Sequence, residues 1–189
     1  MTEHSNLRTG GQILVDQLQI HGVDMAFGVP GESYLGLLDA LFDSEIRYIT
    51  CRQESGATNG CHGVHIARQD STPMILLIGQ VARETRGREA FQEIDQVATL
   101  GGLAKWAVEP RRAEDVPAAM AQAVREALTG RPGPVLVSLP EDLLDEIAEL
   151  DPIDAGRLSP ARATPDEIRA NQTVKDIYMG SHKASTAGQ

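Results

Sequence analysis

The chain has 189 residues, 41% hydrophobic and 23% charged, and its 27 acidic against 17 basic side chains give a formal charge of -10. That length suits one domain with a real core and a short appendage rather than two full domains, and the composition excludes disorder throughout. A carboxylate excess with no clustered basic face argues against nucleic acid as a partner and reads as a solubility feature.

After a polar start, "GQILVDQLQIHGVD" places Ile13, Leu14, Leu18 and His21 at helical spacing and stops at Gly22. "MAFGVPG" then reads as a short strand ended by a Gly-Pro-Gly turn, "ESYLGLLDALFDS" as a second helix and "IRYIT" as a β-branched strand. Further along, "TPMILLIGQV" predicts a fully buried strand, "KWAVEP" a shorter one, "AEDVPAAMAQAVREALTG" an amphipathic helix, and "RPGPVLVSLPEDLL" a buried strand with prolines at both ends. Helices alternating with near-continuous apolar strands predict an α/β fold, a parallel sheet covered by helices on both faces. This domain takes in residues 1–150. From Asp151 the chain turns polar and rich in Pro, Ser, Thr and Ala, which predicts a linker and tail over 151–189 with one short helix. That helix has a capping box at "TPDEIRA", with Thr164 as N-cap, Pro165 first and Glu167 third.

Cys51 and Cys61 have neither the spacing of a metal or redox pair nor the density of a disulfide scaffold, so reduced thiols are expected. "MTEHSNLRTGG" lacks the apolar core of a signal peptide, and no apolar run is long enough to span a bilayer. The expectation is a cytoplasmic protein with no membrane partner. His62 and His65 have no carboxylate placed with them, so no metal site is expected, and they read as surface or helix-packing residues. Neither a P-loop nor a dinucleotide-binding glycine pattern occurs.

Parallel sheets bind ligands at the carboxyl ends of their strands, which makes candidates of three loops: "GVPGES", "RQESGATN" and "GQVARE". Glu54, just past a strand end, sits where a flanking core could raise its pKa toward a proton-shuttling range. A solvated loop glutamate is the other reading of that position. "REAFQEIDQ", just beyond the third loop, has no clear periodicity.

In this order, "FGVPGESYLGLLDAL", "CRQESGA", "ATNGCHGVHIARQDSTPMILLIGQV", "REAFQEIDQV" and "GRPGPVLVSLPEDLL" resemble consecutive blocks of the N-terminal, pyrimidine-binding domain of thiamine-diphosphate enzymes of the acetolactate-synthase and benzoylformate-decarboxylase group. The resemblance runs from about Thr9 to Ile147. It implies a thiamine-diphosphate-binding fold. Glu54 is then similar to the glutamate that hydrogen-bonds N1′ of the cofactor's aminopyrimidine, where proton exchange sets the tautomer that activates the thiazolium carbon. Gly28, Pro30 and Gly31 fall on the turn beside the aminopyrimidine, Asn59 follows the family's Gly-Ala-Thr-Asn block, and Phe91 and Gln92 lie in a segment on the substrate side.

The chain also departs from that family. There the glutamate begins a helix that leads to a central strand before the Ala-Thr-Asn loop, whereas here "QESGA" abuts "TNGCHG". One helix and one central strand are expected to be missing, about 12 and about 5–6 residues at average lengths. The block that holds the diphosphate and Mg²⁺ is absent, so completing the site would need a partner chain carrying the diphosphate-binding domain; self-association into a dimer is the other partnership expected. "TPDEIRANQTVKDIYMG" is similar to the C-terminal end of ATP-binding subunits of branched-chain amino-acid transporters, which fits a shortened gene fused to a neighbouring reading frame. The resemblance implies part of a 2-oxo-acid decarboxylase and carboligase, incomplete on its own. The alternatives are a non-catalytic interaction or regulatory module, and a decayed fragment that binds no cofactor.

Overall fold

The computed structural model describes residues 7–52 and 60–150. The short helix expected in the tail, starting at Thr164, lies outside them. The first helix, α1 (Gly10–Ile20), follows a short strand, β1 (Leu7–Thr9). Thr9 caps α1 reciprocally: its hydroxyl accepts from the Gln12 amide at 3.2 Å, and its own amide donates to the Gln12 side chain at 3.0 Å. Ile13, Leu14, Val15 and Leu18 turn inward as the helical spacing predicts.

β2 (Met25–Gly28) leads through a 3₁₀ turn (Glu32–Tyr34) into α2 (Leu35–Phe42) and then β3 (Arg47–Thr50). α3 (Gly60–Gln69) precedes β4 (Met74–Gln80), and the short α4 (Gln96–Leu100) precedes β5 (Trp106–Val108). α5 (Val116–Leu128) carries a proline in its first turn, where the missing amide costs nothing. The remaining elements are β6 (Pro134–Pro140), α6 (Glu141–Asp145) and β7 (Ile147–Glu149).

All pairing between β2 and β6 is parallel, as expected, but it falls into two blocks. β2 pairs with β3, and β4, β6 and β5 form a separate three-stranded sheet in that order. No ladder among the described residues joins the blocks. β1 and β7 form an additional antiparallel pair, which the sequence reading did not anticipate because each strand has only three residues.

β6 is the centre of the larger block and is buried along all seven residues. Its Val135, Val137 and Leu139 face a core built with α1, α2, α5 and α6, and Leu136 faces a smaller one with Val64 of α3 and Ala104. Helices therefore cover both faces of this block. β4 differs from its expected full burial: six of its seven residues are only partly covered, because its edge away from β6 has no strand beside it. The β2–β3 pair packs one face on the larger core through Ala26 and Tyr48. Side chains alternate along a strand, so Phe27 and Ile49, paired in register, point the other way, and they are 55% and 36% exposed.

Candidate functional site

The carboxyl ends of the strands carry the loops of interest. At the end of β2, Gly28 lies against the Tyr48 ring so closely that a Cβ would collide with the phenol oxygen. That oxygen is buried and has no hydrogen-bond partner among the described residues. One residue past the β2–β3 ladder, the Cys51 amide donates to the Gly28 carbonyl at 2.7 Å. The exit of β3, which leads to Glu54, is thereby fastened to the root of the Gly28, Pro30, Gly31 turn. Cys51 itself is a free thiol.

The same turn reaches β4. Ser33 packs on Gly79 with no room for a side chain there. Beyond Gly79, two buried glutamines hold the segment that follows β4: the Gln80 amide donates to the Ile94 carbonyl at 2.7 Å, and the Gln96 amide to the Gly79 carbonyl at 2.8 Å. Within the segment the Glu93 carboxylate accepts from the Gly87 amide at 2.6 Å and the Ala90 amide at 3.1 Å. Those backbone bonds, Gly87 first, and the Arg86 charge hold the Glu93 carboxyl below its ordinary range. Glu89 and Gln92 take φ values of 55° and 65°, a left-handed conformation costly for side-chain-bearing residues. Phe91 stands out from this braced loop, 82% exposed.

Two arginines anchor the base of the loop. Arg83 pairs with Asp142 at 2.7 Å and Glu146 at 2.7 Å. Burial alone would push the Asp142 carboxyl up, but the bonds from the Arg83 amide and guanidinium outweigh it and hold the carboxyl below its usual value. Arg86 bonds both oxygens of Glu109, at 2.7 and 2.9 Å, and Glu109 also accepts from the buried Ser138 hydroxyl at 2.6 Å.

Of the predicted residues, the structure brings Gly28, Pro30 and Gly31 to the exit of β3 and, through Ser33, to the end of β4. Phe91 and Gln92 lie on the braced loop that leaves β4. Glu54 and Asn59 lie outside the described residues. The sequence reading passed over Gln80, Gln96 and Tyr48, although a glutamine ending the apolar run "MILLIGQ" is a visible signal that a polar side chain enters the core. An open depression of about 550 Å³ on α2, lined by Leu35, Gly36, Leu38, Asp39, Phe42 and Asp145, holds none of these residues. No group of three or more His, Cys, Asp or Glu among the described residues could hold a metal, and no helix among them is long and apolar enough to cross a membrane.

Comparison with known proteins gives the same region a context. The sequence matches the family described as "Thiamine pyrophosphate enzyme, N-terminal TPP binding domain" in two pieces, residues 8–59 and 55–99. It is similar to the probable acetolactate synthase large subunit of Methanocaldococcus jannaschii, 34% identical over 161 residues that take in 72% of this chain and 27% of the relative. The acetolactate synthase isozyme 2 large subunit of Escherichia coli is 32% identical over 168 residues, 76% of this chain and 31% of the relative. The mitochondrial acetolactate synthase of Schizosaccharomyces pombe is 33% identical over 206 residues, 95% of this chain and 29% of the relative. The chain thus spans less than a third of the length of these relatives.

Each matched stretch is longer than the part of this chain it contains. In the M. jannaschii pairing, 72% of 189 residues is about 136, against a stretch of 161, so about 25 positions have no counterpart here. The same arithmetic leaves about 24 positions in the E. coli pairing and about 26 in the S. pombe pairing. The break between the two family-matched pieces falls at residues 55–59.

Proposed function

Because the chain belongs to the thiamine pyrophosphate enzymes, through the N-terminal TPP-binding domain of that family, we propose that it is the half of an acetolactate-synthase-like site that receives the aminopyrimidine of thiamine diphosphate. The observation that carries this reading is the bond from Cys51 to Gly28, which starts the chain toward Glu54 from beside the Gly28–Gly31 turn. In the proposal the turn backbone lies along the pyrimidine, Glu54 bonds and exchanges the proton at N1′, Asn59 and the turn complete the pocket, and Phe91 and Gln92 face the substrate. The described residues fit such a group: Gly28, at the root of the turn, lies against the Tyr48 ring, whose buried hydroxyl has no hydrogen-bond partner among the described residues. When bound, the cofactor supplies the carbanion-stabilising chemistry by which 2-oxo acids are decarboxylated and the resulting unit is joined to a carbonyl.

The site is incomplete within this chain. In this proposal the diphosphate and its Mg²⁺ are held by a partner chain carrying the diphosphate-binding domain, in the cytoplasm, and self-association is the alternative use of the chain's surface. The positions without counterpart, the split match at 55–59 and the broken sheet together support the loss of one helix and one strand after Glu54. A non-catalytic interaction module is the second reading, favoured by the bare Phe27–Ile49 face.

The test is a thermal melt of the full chain with and without thiamine diphosphate and Mg²⁺, since a ligand that binds only the native state raises the midpoint by mass action. A shift that Glu54→Gln removes supports the cofactor reading. A cooperative melt with no shift at millimolar cofactor sinks it and leaves the interaction module.

A further inference from the structure

We propose that the interruption in the parallel sheet is a docking site for a helix–strand segment of another chain, about 25 residues long, whose helix packs on Phe27 and Ile49 and whose strand pairs along the free edge of β4. This rests on the reading above that one helix and one strand are absent.

The strand position is defined by β4. Along all seven residues β4 bonds β6 on one side and no described strand on the other. Met74, Ile75, Leu76, Leu77 and Ile78 are apolar yet only half-buried, whereas the neighbouring β6 is buried throughout. An unpaired apolar edge of this kind is a template for strand addition.

The helix position is defined by the bare face of β2 and β3. Phe27 and Ile49 lie side by side there. On the same face, by alternation, are Met25 and Arg47, whose guanidinium reaches the Met25 sulfur at 3.5 Å and makes no ion pair among the described residues. This surface of three apolar side chains and one cation suits an amphipathic helix with an apolar stripe and one carboxylate.

Length identifies the occupant. A connection between parallel strands needs a dozen or more residues and is usually a helix. An average helix and strand together use about 17 residues, so the roughly 25 positions without counterpart suffice for both and their turns. A second folded copy offers only strands already built into its own ladders and no free helix–strand unit among its described residues, so it could meet the β4 edge but not the Phe27–Ile49 face with one continuous segment.

The experiment uses the full chain, without cofactor, and a synthetic peptide copied from the stretch of the M. jannaschii relative that lies between the residues aligned to Glu54 and Gly60. Hydrogen exchange is followed at Met25–Gly28 and Met74–Gln80. The expected result is saturable protection, with exchange slowed at least tenfold, no effect of a scrambled peptide, and binding weakened at least tenfold by Phe27→Asp or Ile49→Asp. Phe42→Asp, at an exposed position on α2, should leave binding unchanged. Absence of protection at saturating peptide, equal protection by the scrambled peptide, or protection that grows with chain concentration alone would each overturn the proposal, the last in favour of a second copy. Because no cofactor is present, failure here is separable from failure of the thiamine diphosphate reading.

Discussion

Gly28 accepts a hydrogen bond from the Cys51 amide at 2.7 Å, one residue past the rung where Gly28 itself faces Thr50. The bond extends the β2–β3 pairing into the loop that leads to Glu54. Two segments separated by more than twenty residues therefore leave the sheet from one point, which is what a shared binding site requires of them.

Gly28→Ala tests that junction. The added methyl would fall on the Tyr48 ring, and overpacking of this kind typically costs about 1–3 kcal/mol. Urea denaturation should show the loss, and Tyr48→Leu in the same chain should recover most of it. If the double variant is no more stable than the single one, the ring is not what confines Gly28.

Gly79 and Ser33 form a second contact of the same kind, between the turn after β2 and the end of β4. Gly79→Ala should destabilise by about 1–3 kcal/mol, and Ser33→Gly should relieve it. A double-mutant cycle by chemical denaturation is expected to give a coupling above about 0.5 kcal/mol. Additive effects would mean that the two loops do not meet in solution.

Much of this arrangement was legible in the sequence, because period-3.6 and near-continuous apolar runs report directly on which side chains are buried. Ile13, Leu14 and Leu18 on α1, and the whole of β6, follow that logic. The parallel pairing and the placement of Gly28, Pro30 and Gly31 at a strand end followed from the alternation of elements. The half-buried state of β4 was not legible, since its apolar run is the same whether or not a neighbour covers the outer edge. The β1–β7 pair also escaped notice: Leu7–Thr9 and Ile147–Glu149 pair across almost the whole domain, and three residues give no periodicity. Nor does a lone glutamine announce its partner, so the clamps from Gln80 and Gln96 emerge only once the loop is folded back.

Glu93→Ala should loosen the braced loop without unfolding the domain. Its carboxylate is the acceptor for two loop amides, Gly87 and Ala90, and the left-handed Gln92 directly precedes it in the chain. Amide exchange at Gly87 and Ala90 should speed up severalfold while exchange in β6 stays unchanged. Unaltered exchange at those two amides would show that Gln80 and Gln96 suffice to hold the loop.

Acid should weaken the domain in a defined window. Asp142 and Glu93 both have folded-state pKa values below their ordinary values of 3.8 and 4.5, so the folded state binds protons less readily than the unfolded chain. Their contribution is complete above those ordinary values and is lost as pH falls through the lower, folded ones. The melting temperature should therefore respond little to these groups between pH 7 and about 5, and fall below about 4. Asp142 is about a third exposed, as is its partner Arg83, so solvent screening limits the pair to on the order of 1 kcal/mol or less. Asp142→Asn should lower the melting temperature at pH 7 and flatten its decline below pH 4. A variant with an acid limb as steep as the parent's would place the titrating stability elsewhere than the Arg83 pair.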